Sequence, residues 1–446
     1  MKTQTYKNII IGFGRAGLAL AKAFVQHGEE VLLIERDLEM RGVTYPDVGS
    51  TSFKALIEAG REHLSFEKAM QRKEKVREAL HNSTYHEVAD EKLVTLVGAK
   101  ASFKEPHTLS LLSPDGKLSS VSAERIFINI GAEYVIPAIS GAKKVANVVT
   151  SKEMLSLSEL PKRLVIIGAS PIGLEFASMF ATFGSRVTIL ESQEKFLPQE
   201  DGDITAAILA DLRAFGIDIR LGVAIDEIQK SQVIAGGVIY PADKILLATG
   251  RKPATSDLTL ENVGVTLAED GSIVVDKQLH TSQTHIWALG DVRSGAQHDY
   301  LSSDDSRVVL DELFGEGKGK LADRTIIPYS IDITPSLSRV GLNENEAKEK
   351  GIPYDLYTLK ASAIVRAKTR AEERGLLKGL VDSKTGEILG VTLYMSDSHE
   401  VINLVSTVMA LQAKADFFQT HIMTHPTMSE ALRDLFSPEN RVSKVK

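Results

Sequence analysis

Near the start of the chain, three glycines and an acidic residue have the types and spacing of a turn that binds pyrophosphate. Gly12, Gly14 and Gly17 would permit a tight turn, a bare backbone beside the phosphates and close helix packing, respectively. Glu35 follows Gly12 by 23 residues (35 − 12), where a carboxylate can accept hydrogen bonds from ribose hydroxyls. We expect Arg36, the next residue, to line the same site.

A second copy of this pattern begins 156 residues later (168 − 12) and consists of Gly168, Ser170 and Gly173. Serine replaces the middle glycine, which adds a side chain where the backbone would be bare. Glu191 again follows the first glycine by 23 residues (191 − 168). A carboxylate there suits the free 2′-hydroxyl of NADH and repels the 2′-phosphate of NADPH, so NADH is favoured.

Each pattern needs two strands and a helix to hold it. Residues 8–36 and residues 163–191 each divide into an apolar strand, a glycine turn, a helical stretch and a second apolar strand. In this arrangement the helix N-terminus offers free amides and a partial positive charge to a phosphate. Two dinucleotide sites are predicted; one bound nucleotide, or β-α-β units without a ligand, are the alternatives.

Three further apolar strands each end in a turn with one glycine: FINIGAEYVIP with Gly131, LLATGRKP with Gly250, and HIWALGDV with Gly290. Such turns let the chain pass close to a cofactor while it crosses between domains. Asp291 comes just past the third strand, where a carboxylate can bind a ribityl hydroxyl or lie near a phosphate at a helix start.

Composition narrows the class of protein. The 446 residues are 43% hydrophobic and 25% charged, which is typical of globular domains. The net charge of −7 argues against nucleic acid or an anionic membrane as partner. The start, MKTQTYKN, runs directly into an apolar strand, so we expect no signal region and a cytoplasmic location. We also expect residues 61–83 to form a charged amphipathic helix that serves as a solvated connection.

The order of these segments resembles the flavoprotein disulfide reductases with two dinucleotide-binding domains, such as glutathione reductase, dihydrolipoamide dehydrogenase and mercuric reductase. The resemblance covers essentially the whole chain. Residues 374–403 and 421–436 look most similar to the bacterial branch that reduces hypothiocyanous acid and related reactive chlorine species. The resemblance implies FAD at the first glycine pattern and at Asp291, NADH at the second pattern, and a homodimer.

The implied fold is α/β: two Rossmann-like dinucleotide-binding domains, for FAD and NAD, and a C-terminal α+β dimerisation domain. The expected FAD-binding domain is discontinuous and covers residues 1–148 and 250–325. The NAD(P)-binding domain would cover residues 149–249. Residues 326–446 would form the dimerisation domain.

The family's redox-active dithiol is missing, because the chain contains no cysteine. Members carry GGTCxxxGCxxxK after the first nucleotide unit, and within RGVTYPDVGSTSFK (41–54) the matching stretch is GVTYPDVGSTSFK. The two cysteines therefore fall on Tyr45 and Ser50, whose hydroxyls stay protonated at neutral pH. Disulfide reduction by relay is excluded. Tyr45 would close the flavin face, offer its hydroxyl to an acceptor, or plug the site.

Other family residues are kept. By resemblance, Lys54 and Glu175 pair beside the flavin N5 and the nicotinamide; the alternative is a surface lysine and a helical glutamate that never meet. His425 and Glu430 match the acid/base pair that relatives supply from the partner subunit. Without a thiol to serve, this pair is vestigial or protonates another acceptor. We predict no metal site, since a proline after His425 disfavours a zinc pair with His421.

The sequence therefore predicts an FAD-dependent, NADH-oxidising homodimer that reduces a small acceptor directly: oxygen, a quinone, an oxidant or a metal ion. The rival hypothesis is a flavin-binding redox sensor or structural paralogue that lost turnover together with its cysteines.

Overall fold

The structure, a computed structural model, describes residues 4–36, 50–295 and 298–445, and for residues 50 and 443–445 it describes the backbone alone. Within those residues the strands are β1 (Gln4–Ile11), β2 (Val31–Glu35), β3 (Val94–Gly98), β4 (Lys100–Glu105), β5 (Thr108–Leu112), β6 (Leu118–Ile128), β7 (Ala132–Tyr134), β8 (Val148–Val149), β9 (Arg163–Ile167), β10 (Arg186–Leu190), β11 (Asp218–Arg220), β12 (Ile225–Gln229), β13 (Gln232–Ala235), β14 (Val238–Pro241), β15 (Lys244–Leu247), β16 (Arg251–Pro253), β17 (Ile286–Ala288), β18 (Tyr329–Ile331), β19 (Leu337–Gly341), β20 (Tyr354–Lys360), β21 (Leu376–Asp382), β22 (Ile388–Tyr394) and β23 (Arg441–Val445).

The helices in the same residues are α1 (Arg15–Gln26), α2 (Ser50–Arg61), α3 (Phe66–Ala89), α4 (Ser151–Met154), α5 (Pro171–Thr182), α6 (Gly202–Ala214), α7 (Asp299–Phe314), α8 (Glu344–Glu349), α9 (Val365–Arg370), α10 (Ser398–Ala410), α11 (Phe417–Thr420) and α12 (Ala431–Leu435). Short 3-10 helices lie at Leu260–Val263, Gly290–Val292, Leu321–Asp323, Ala361–Ala363 and Pro438–Asn440. Across the described ranges, no helix is both long enough and apolar enough to cross a membrane.

The chain folds into two compact units, each made of three stretches of sequence. The first unit contains Met1–Ile136, Lys152–Ser158 and Thr249–Arg324. The second unit contains Pro137–Ser151, Glu159–Ala248 and Thr325–Lys446.

The first unit is built on a seven-stranded sheet. Its parallel part has the order β3-β2-β1-β6, with β17 also paired to β6, and the antiparallel strands β5 and β4 extend it. The central strands are continuous apolar runs because both faces of this part of the sheet are covered. Ile9, Ile10, Leu33 and Phe127 are fully buried there. Because β1, β2 and β6 run parallel, their carboxyl ends meet at one edge of the sheet.

The second unit contains a matching parallel sheet with the order β11-β10-β9-β15-β8. In each unit a glycine turn joins the central strand to a helix, and the next strand lies beside it. Two sheets of this order, each with a turn at its central strand, are the architecture of dinucleotide-binding units. The prediction of two Rossmann-like domains is therefore confirmed.

The C-terminal part of the second unit is an antiparallel sheet of order β18-β19-β22-β21-β20-β23. Helices α10 and α12 pack on it, and the core between them contains residues such as Val391, Leu393, Val405 and Leu432. This part is the predicted α+β domain, and the α/β fold class is confirmed for the chain. The exact boundaries of the three domains stay a prediction.

One local expectation was too simple. The charged helix predicted at 61–83 instead begins at Phe66, where the Ser65 hydroxyl accepts a hydrogen bond from the Lys68 amide. The helix is not entirely solvated either. Lys73 is buried, and its ammonium donates to the Leu155 carbonyl oxygen at 2.8 Å. This bond fastens the short Lys152–Ser158 stretch to the first unit.

Candidate functional site

The first glycine turn is shaped around Asn129, which follows β6. Gly12 has φ +103°, a backbone conformation that favours glycine. A Cβ on Gly12 would lie 2.3 Å from the Asn129 carbonyl oxygen, and a Cβ on Gly14 would lie 2.3 Å from the Asn129 side-chain oxygen. A Cβ on Gly17 would lie 2.6 Å from the Gly12 carbonyl oxygen. No larger residue fits these positions unless the turn or Asn129 moves.

Asn129 was not singled out by the sequence patterns, yet it joins two parts of the site. Its side-chain oxygen accepts a hydrogen bond from the Gly17 amide at 2.9 Å, near the start of α1. Its side-chain nitrogen donates to the Leu289 carbonyl oxygen, also at 2.9 Å. The sequence signal that could have found it is a polar residue directly after an apolar strand. In the structure this residue is buried.

Glu35 and Arg36 lie beside this turn, at the end of β2. The Glu35 carboxylate accepts a hydrogen bond from the Phe13 amide at 2.9 Å, which fixes its orientation. Both residues line an open cleft with about 670 Å³ of empty space, part of it solvent, together with Gly12 and Asp257. Beside this cleft the Glu35 carboxylate has capacity for further hydrogen bonds in addition to the one from Phe13.

The Gly290–Asp291 turn is held from behind by a buried carboxylate on α7. Asp305 is fully buried and accepts a hydrogen bond from the Gly290 amide at 2.7 Å. Arg293 donates two hydrogen bonds to Asp305, both at 2.8 Å, and Arg324 makes a third charged contact at 2.7 Å. Sequence reasoning missed this cluster, because its members are separated along the chain.

Asp291 itself contacts a cation. Its carboxylate lies 3.1 Å from a guanidinium nitrogen of Arg251, and its side chain is mostly buried. Burial raises the pKa of Asp291 above its ordinary value, although the positive charge of Arg251 opposes that shift. The turn therefore presents a positioned carboxyl group at the carboxyl end of β17.

The turns at Gly131 and Gly250 lie together. Both glycines have positive φ, +69° and +100°, and each precedes a short strand, β7 or β16. These strands pair antiparallel, and two further bonds close the pair: the Val135 amide donates to Gly250 and the Ala254 amide donates to Gly131, each at 3.1 Å. The two predicted crossing segments thus form one paired connection.

The second glycine turn repeats the geometry of the first. Gly168 has φ +104°. The Glu191 carboxylate accepts a hydrogen bond from the Ala169 amide at 2.7 Å, the same bond that the acidic residue makes in the first unit. It also accepts one from the Gln193 amide at 2.8 Å. Both acidic residues are therefore held at the end of the second strand of their unit.

Ser170 has a structural role that the sequence pattern concealed. Its hydroxyl accepts a hydrogen bond from the Gly173 amide at 3.3 Å and donates to the Ala248 carbonyl oxygen at 2.9 Å. In the first unit Asn129 occupies the position equivalent to Ala248, directly after the strand that pairs with the central one. Each unit therefore caps the amide of its third glycine, but from a different residue.

The remaining predicted residues are placed as follows. Tyr45 lies outside the described residues, and Ser50 begins α2. Lys54 lies on the same helix, with its ammonium 5.9 Å from the centre of the Phe53 ring. Glu175 lies on α5, where its carboxylate accepts a hydrogen bond from the Asp332 amide at 2.8 Å. The pairing of Lys54 with Glu175 stays a prediction.

The predicted acid/base pair is formed within one chain. Nδ1 of His425 lies 3.1 Å from both carboxylate oxygens of Glu430, which also accepts from the Thr427 amide at 3.0 Å. Burial alone would raise the pKa of Glu430, but the Thr427 amide and His425 outweigh it and hold the pKa below its ordinary value. An ionised, buried carboxylate thus orients an imidazole that is largely exposed.

Comparison with known proteins places this geometry in a family. Residues 6–307 match the pyridine nucleotide-disulphide oxidoreductases, and residues 327–436 match the dimerisation domain of the same proteins. The chain is 44% identical, over 97% of its length and 99% of the relative's, to the probable pyridine nucleotide-disulfide oxidoreductase RclA of Escherichia coli. It is 30% identical to a mercuric reductase of Shigella flexneri, over 95% of this chain and 79% of that one.

Solved structures agree. The chain matches the HOCl-induced flavoprotein disulfide reductase RclA from Escherichia coli, solved as a Cu(II) complex, with a TM-score of 0.94 and 43% identity over 98% of this chain and 99% of that one. A Cu(II) complex of a variant of that protein, with one cysteine replaced by serine, matches with the same TM-score over 98% of this chain and 100% of that one. The matched residues include both glycine turns, the sheets that hold them and the C-terminal domain. This cysteine-free chain therefore belongs to the pyridine nucleotide-disulphide oxidoreductase family.

Proposed function

We propose that the protein is an FAD-dependent NADH:acceptor oxidoreductase that works without a dithiol. One observation carries the proposal: both nucleotide-binding turns keep their geometry, while the sequence has no cysteine to accept electrons. When bound, FAD would supply the chemistry of accepting a hydride from the nicotinamide and delivering two electrons to the acceptor. Because no sulfur relay exists, the acceptor must be small enough to reach the flavin.

The residues of the first unit fit FAD. Gly12 and Gly14 leave no room for a Cβ, so they present bare backbone at the start of α1. The cleft beside Glu35 and Arg36 is suited to the adenosine part. Asp291 is a positioned acceptor for a ribityl hydroxyl. We assign FAD to these residues together with Gly17, Gly131 and Gly290.

The residues of the second unit fit a nicotinamide nucleotide. Gly168, Ser170 and Gly173 would face its pyrophosphate, Gly250 would lie beside it, and Glu191 would accept hydrogen bonds from the adenosine ribose. The Ser170 hydroxyl is turned toward backbone groups of its own unit. Its presence is therefore compatible with a nucleotide, and NADH is the form that Glu191 favours.

The acceptor is proposed as oxygen, a quinone, an oxidant or a metal ion. With a quinone the balanced reaction is NADH, a proton and quinone giving NAD⁺ and quinol. With Cu(II), one NADH reduces two ions to Cu(I) and releases a proton. The Cu(II) complexes of the Escherichia coli relative, one with a cysteine replaced by serine, support including Cu(II) among the acceptors.

The match to the dimerisation domain supports a homodimer. The cytoplasmic location stays a prediction.

The test is an anaerobic titration of the purified protein with NADH, followed by visible absorbance, and then addition of each acceptor. We expect a yellow protein whose absorbance bleaches with one equivalent of NADH and returns on adding an acceptor, with turnover well above that of free FAD. A colourless protein that cannot be reconstituted with FAD would overturn the proposal. A flavin that bleaches slowly and never returns would favour the redox sensor.

Replacing Glu191 with alanine should raise the dissociation constant for NADH by about tenfold, because a charged hydrogen bond to the ribose is lost. The preference over NADPH should narrow, since the repulsion of the 2′-phosphate is lost as well. Binding of both nucleotides, measured by titration of the FAD-loaded protein, checks this. Glu191→Gln keeps the size of the side chain and removes its charge. It should therefore narrow the preference for NADH over NADPH but raise the dissociation constant for NADH less than Glu191→Ala does. Wild-type binding of both nucleotides by Glu191→Ala would contradict the assignment.

Replacing Lys54 with methionine should slow reduction of the flavin by NADH about tenfold or more, measured by stopped-flow absorbance. The reason is loss of the positive charge predicted beside the flavin N5. Lys68→Met, at an exposed position on α3, is the matched control and should react at the wild-type rate. A wild-type rate in Lys54→Met would remove this lysine from the mechanism.

A further inference from the structure

One side chain contacts both of the turns assigned to FAD. A Cβ added to Gly12 or Gly14 would lie 2.3 Å from atoms of Asn129, and a Cβ added to Gly290 would lie 3.0 Å from its side-chain nitrogen. Gly12 and Gly290 are 278 residues apart in the sequence (290 − 12). Asn129 therefore lies against both turns. At Gly290 a Cβ would also meet the Ser302 hydroxyl at 2.9 Å, and the φ of +73° favours glycine by itself.

The carboxamide makes one hydrogen bond to each of the two turns. Its oxygen accepts from the Gly17 amide and its nitrogen donates to the Leu289 carbonyl oxygen, both at 2.9 Å. Strands β6 and β17 are in parallel register up to Ile128 and Ala288. The bond to Leu289 thus continues the pairing one step past the last paired residues, and it fixes the chain directly before the Gly290–Asp291 turn.

The second unit shows that capping the helix does not require this asparagine. There the position is Ala248, and Ser170 supplies the oxygen that accepts from the Gly173 amide. Ser170 and Gly14 have similar backbone angles, with φ of −66° and −78°, so the two solutions are interchangeable in principle. What Asn129 adds to the first unit is the bond to Leu289, which directly precedes the turn that contains Asp291.

We propose that Asn129 is a positioning residue for FAD: it holds the Gly12–Gly17 turn and the Gly290–Asp291 turn in one register, so that both contact the same cofactor molecule. The inference rests on the proposed function. It also accounts for a difference between the two sites. FAD stays bound during turnover and is held at two coupled turns, whereas the nucleotide of the second unit must leave after each reaction.

The test uses two variants of the full chain, each prepared without flavin and then titrated with FAD. Asn129→Ala removes the cap and the bond to Leu289. Gly14→Ser combined with Asn129→Ala reproduces the arrangement of the second unit: the serine hydroxyl can accept from the Gly17 amide, but the bond to Leu289 stays absent. The alanine also removes the side-chain oxygen that a Cβ at position 14 would meet at 2.3 Å. Trp287, the chain's single tryptophan, is a built-in reporter, since its ring stacks on Phe127 at 4.8 Å two residues before Leu289.

We expect Asn129→Ala to lower the thermal midpoint of the flavin-free protein, to raise the FAD dissociation constant at least about tenfold and to change the Trp287 emission. The double variant should recover the midpoint, while its Trp287 emission stays that of Asn129→Ala; its FAD affinity is not compared, because serine at position 14 adds a side chain where bare backbone would face the pyrophosphate. Wild-type FAD affinity in Asn129→Ala, or a wild-type Trp287 emission in the double variant, would overturn the inference. If the wild-type chain itself binds no FAD, the proposed function fails instead, so the two failures are distinguishable.

Discussion

Replacing Lys378 with methionine is expected to destabilise the second unit by about 3–5 kcal/mol, the cost of removing one partner from a buried ionic cluster. The lysine side chain is almost fully buried. Its ammonium donates to Asp201 at 2.8 Å, to Asp203 at 2.9 Å and to Glu344. Methionine fills most of the same volume, so the expected loss comes from charge rather than from a cavity.

The three carboxylates are tied to the ends of two helices, which makes the loss larger. Asp201 precedes α6, and its oxygens lie 3.3 Å from the amides of Glu344 and Asn345 at the start of α8. Without Lys378, two of these carboxylates would remain in a poorly solvated place with no ammonium to balance them. We therefore expect α6 and α8 to loosen together, which amide hydrogen exchange would detect.

The pH dependence separates charge from packing. Burial alone would lower the pKa of Lys378, but the carboxylates outweigh it and raise that pKa. Burial alone would raise the pKa of Glu344, but Lys378, together with Tyr354 and Lys348, outweighs it and lowers that pKa. In the wild type the contribution of Glu344 is therefore present above its ordinary pKa and is lost as the pH falls through the lowered value.

In Lys378→Met the sign of this dependence should reverse. Burial, the largest influence on the pKa of Glu344, is then opposed only by Tyr354 and Lys348, so we expect that pKa to rise and the deficit in unfolding free energy to shrink between about pH 7 and about pH 5. Lys348→Met is the matched control, because Lys348 contacts the same carboxylate at 3.2 Å from an exposed position; it should cost less than about 1 kcal/mol. Equal deficits at both pH values would mean that packing, not charge, is responsible.

The parts of the site that were predictable are those encoded within one short segment. The glycine turn, the following helix and the acidic residue 23 positions later all lie inside one β-α-β stretch, so Glu35 and Glu191 are found where their spacing indicates. The fold class followed from the repetition of this stretch. Membership of the family was likewise accessible, because the order of the motifs is preserved over the whole chain.

The parts that were missed depend on residues far apart in sequence. Ser170 departs from the glycine pattern when its position is considered alone, whereas its hydroxyl bonds to Ala248, 78 residues further on. Nothing in the segment around Asn129 indicates its bond to Leu289, which spans 160 residues. Nothing in the helix around Lys73 indicates that its ammonium is buried against a carbonyl oxygen that only the folded chain brings near.

Replacing Asp305 with asparagine is expected to raise the dissociation constant for FAD at least about tenfold and to destabilise the first unit by about 3 kcal/mol. The carboxylate accepts from the Gly290 amide and from two guanidinium groups, Arg293 and Arg324. An amide of the same shape has one accepting oxygen, so its NH₂ group would face a donor. The buried Arg293 guanidinium would also lose its counter-charge, while Arg324 would keep only Asp304.

Asp304→Asn is the matched control, because Asp304 is the neighbouring residue on α7 and also contacts Arg324. Its side chain is partly exposed and does not touch the Gly290 turn, so we expect a cost below about 1 kcal/mol and FAD affinity close to that of the wild type. NADH binding should be unaffected in both variants, since the second unit keeps all its contacts. If Asp305→Asn holds FAD as tightly as Asp304→Asn does, then Asp305 stabilises α7 without setting the position of Asp291, and the cofactor depends on the Asn129 side of the turn alone.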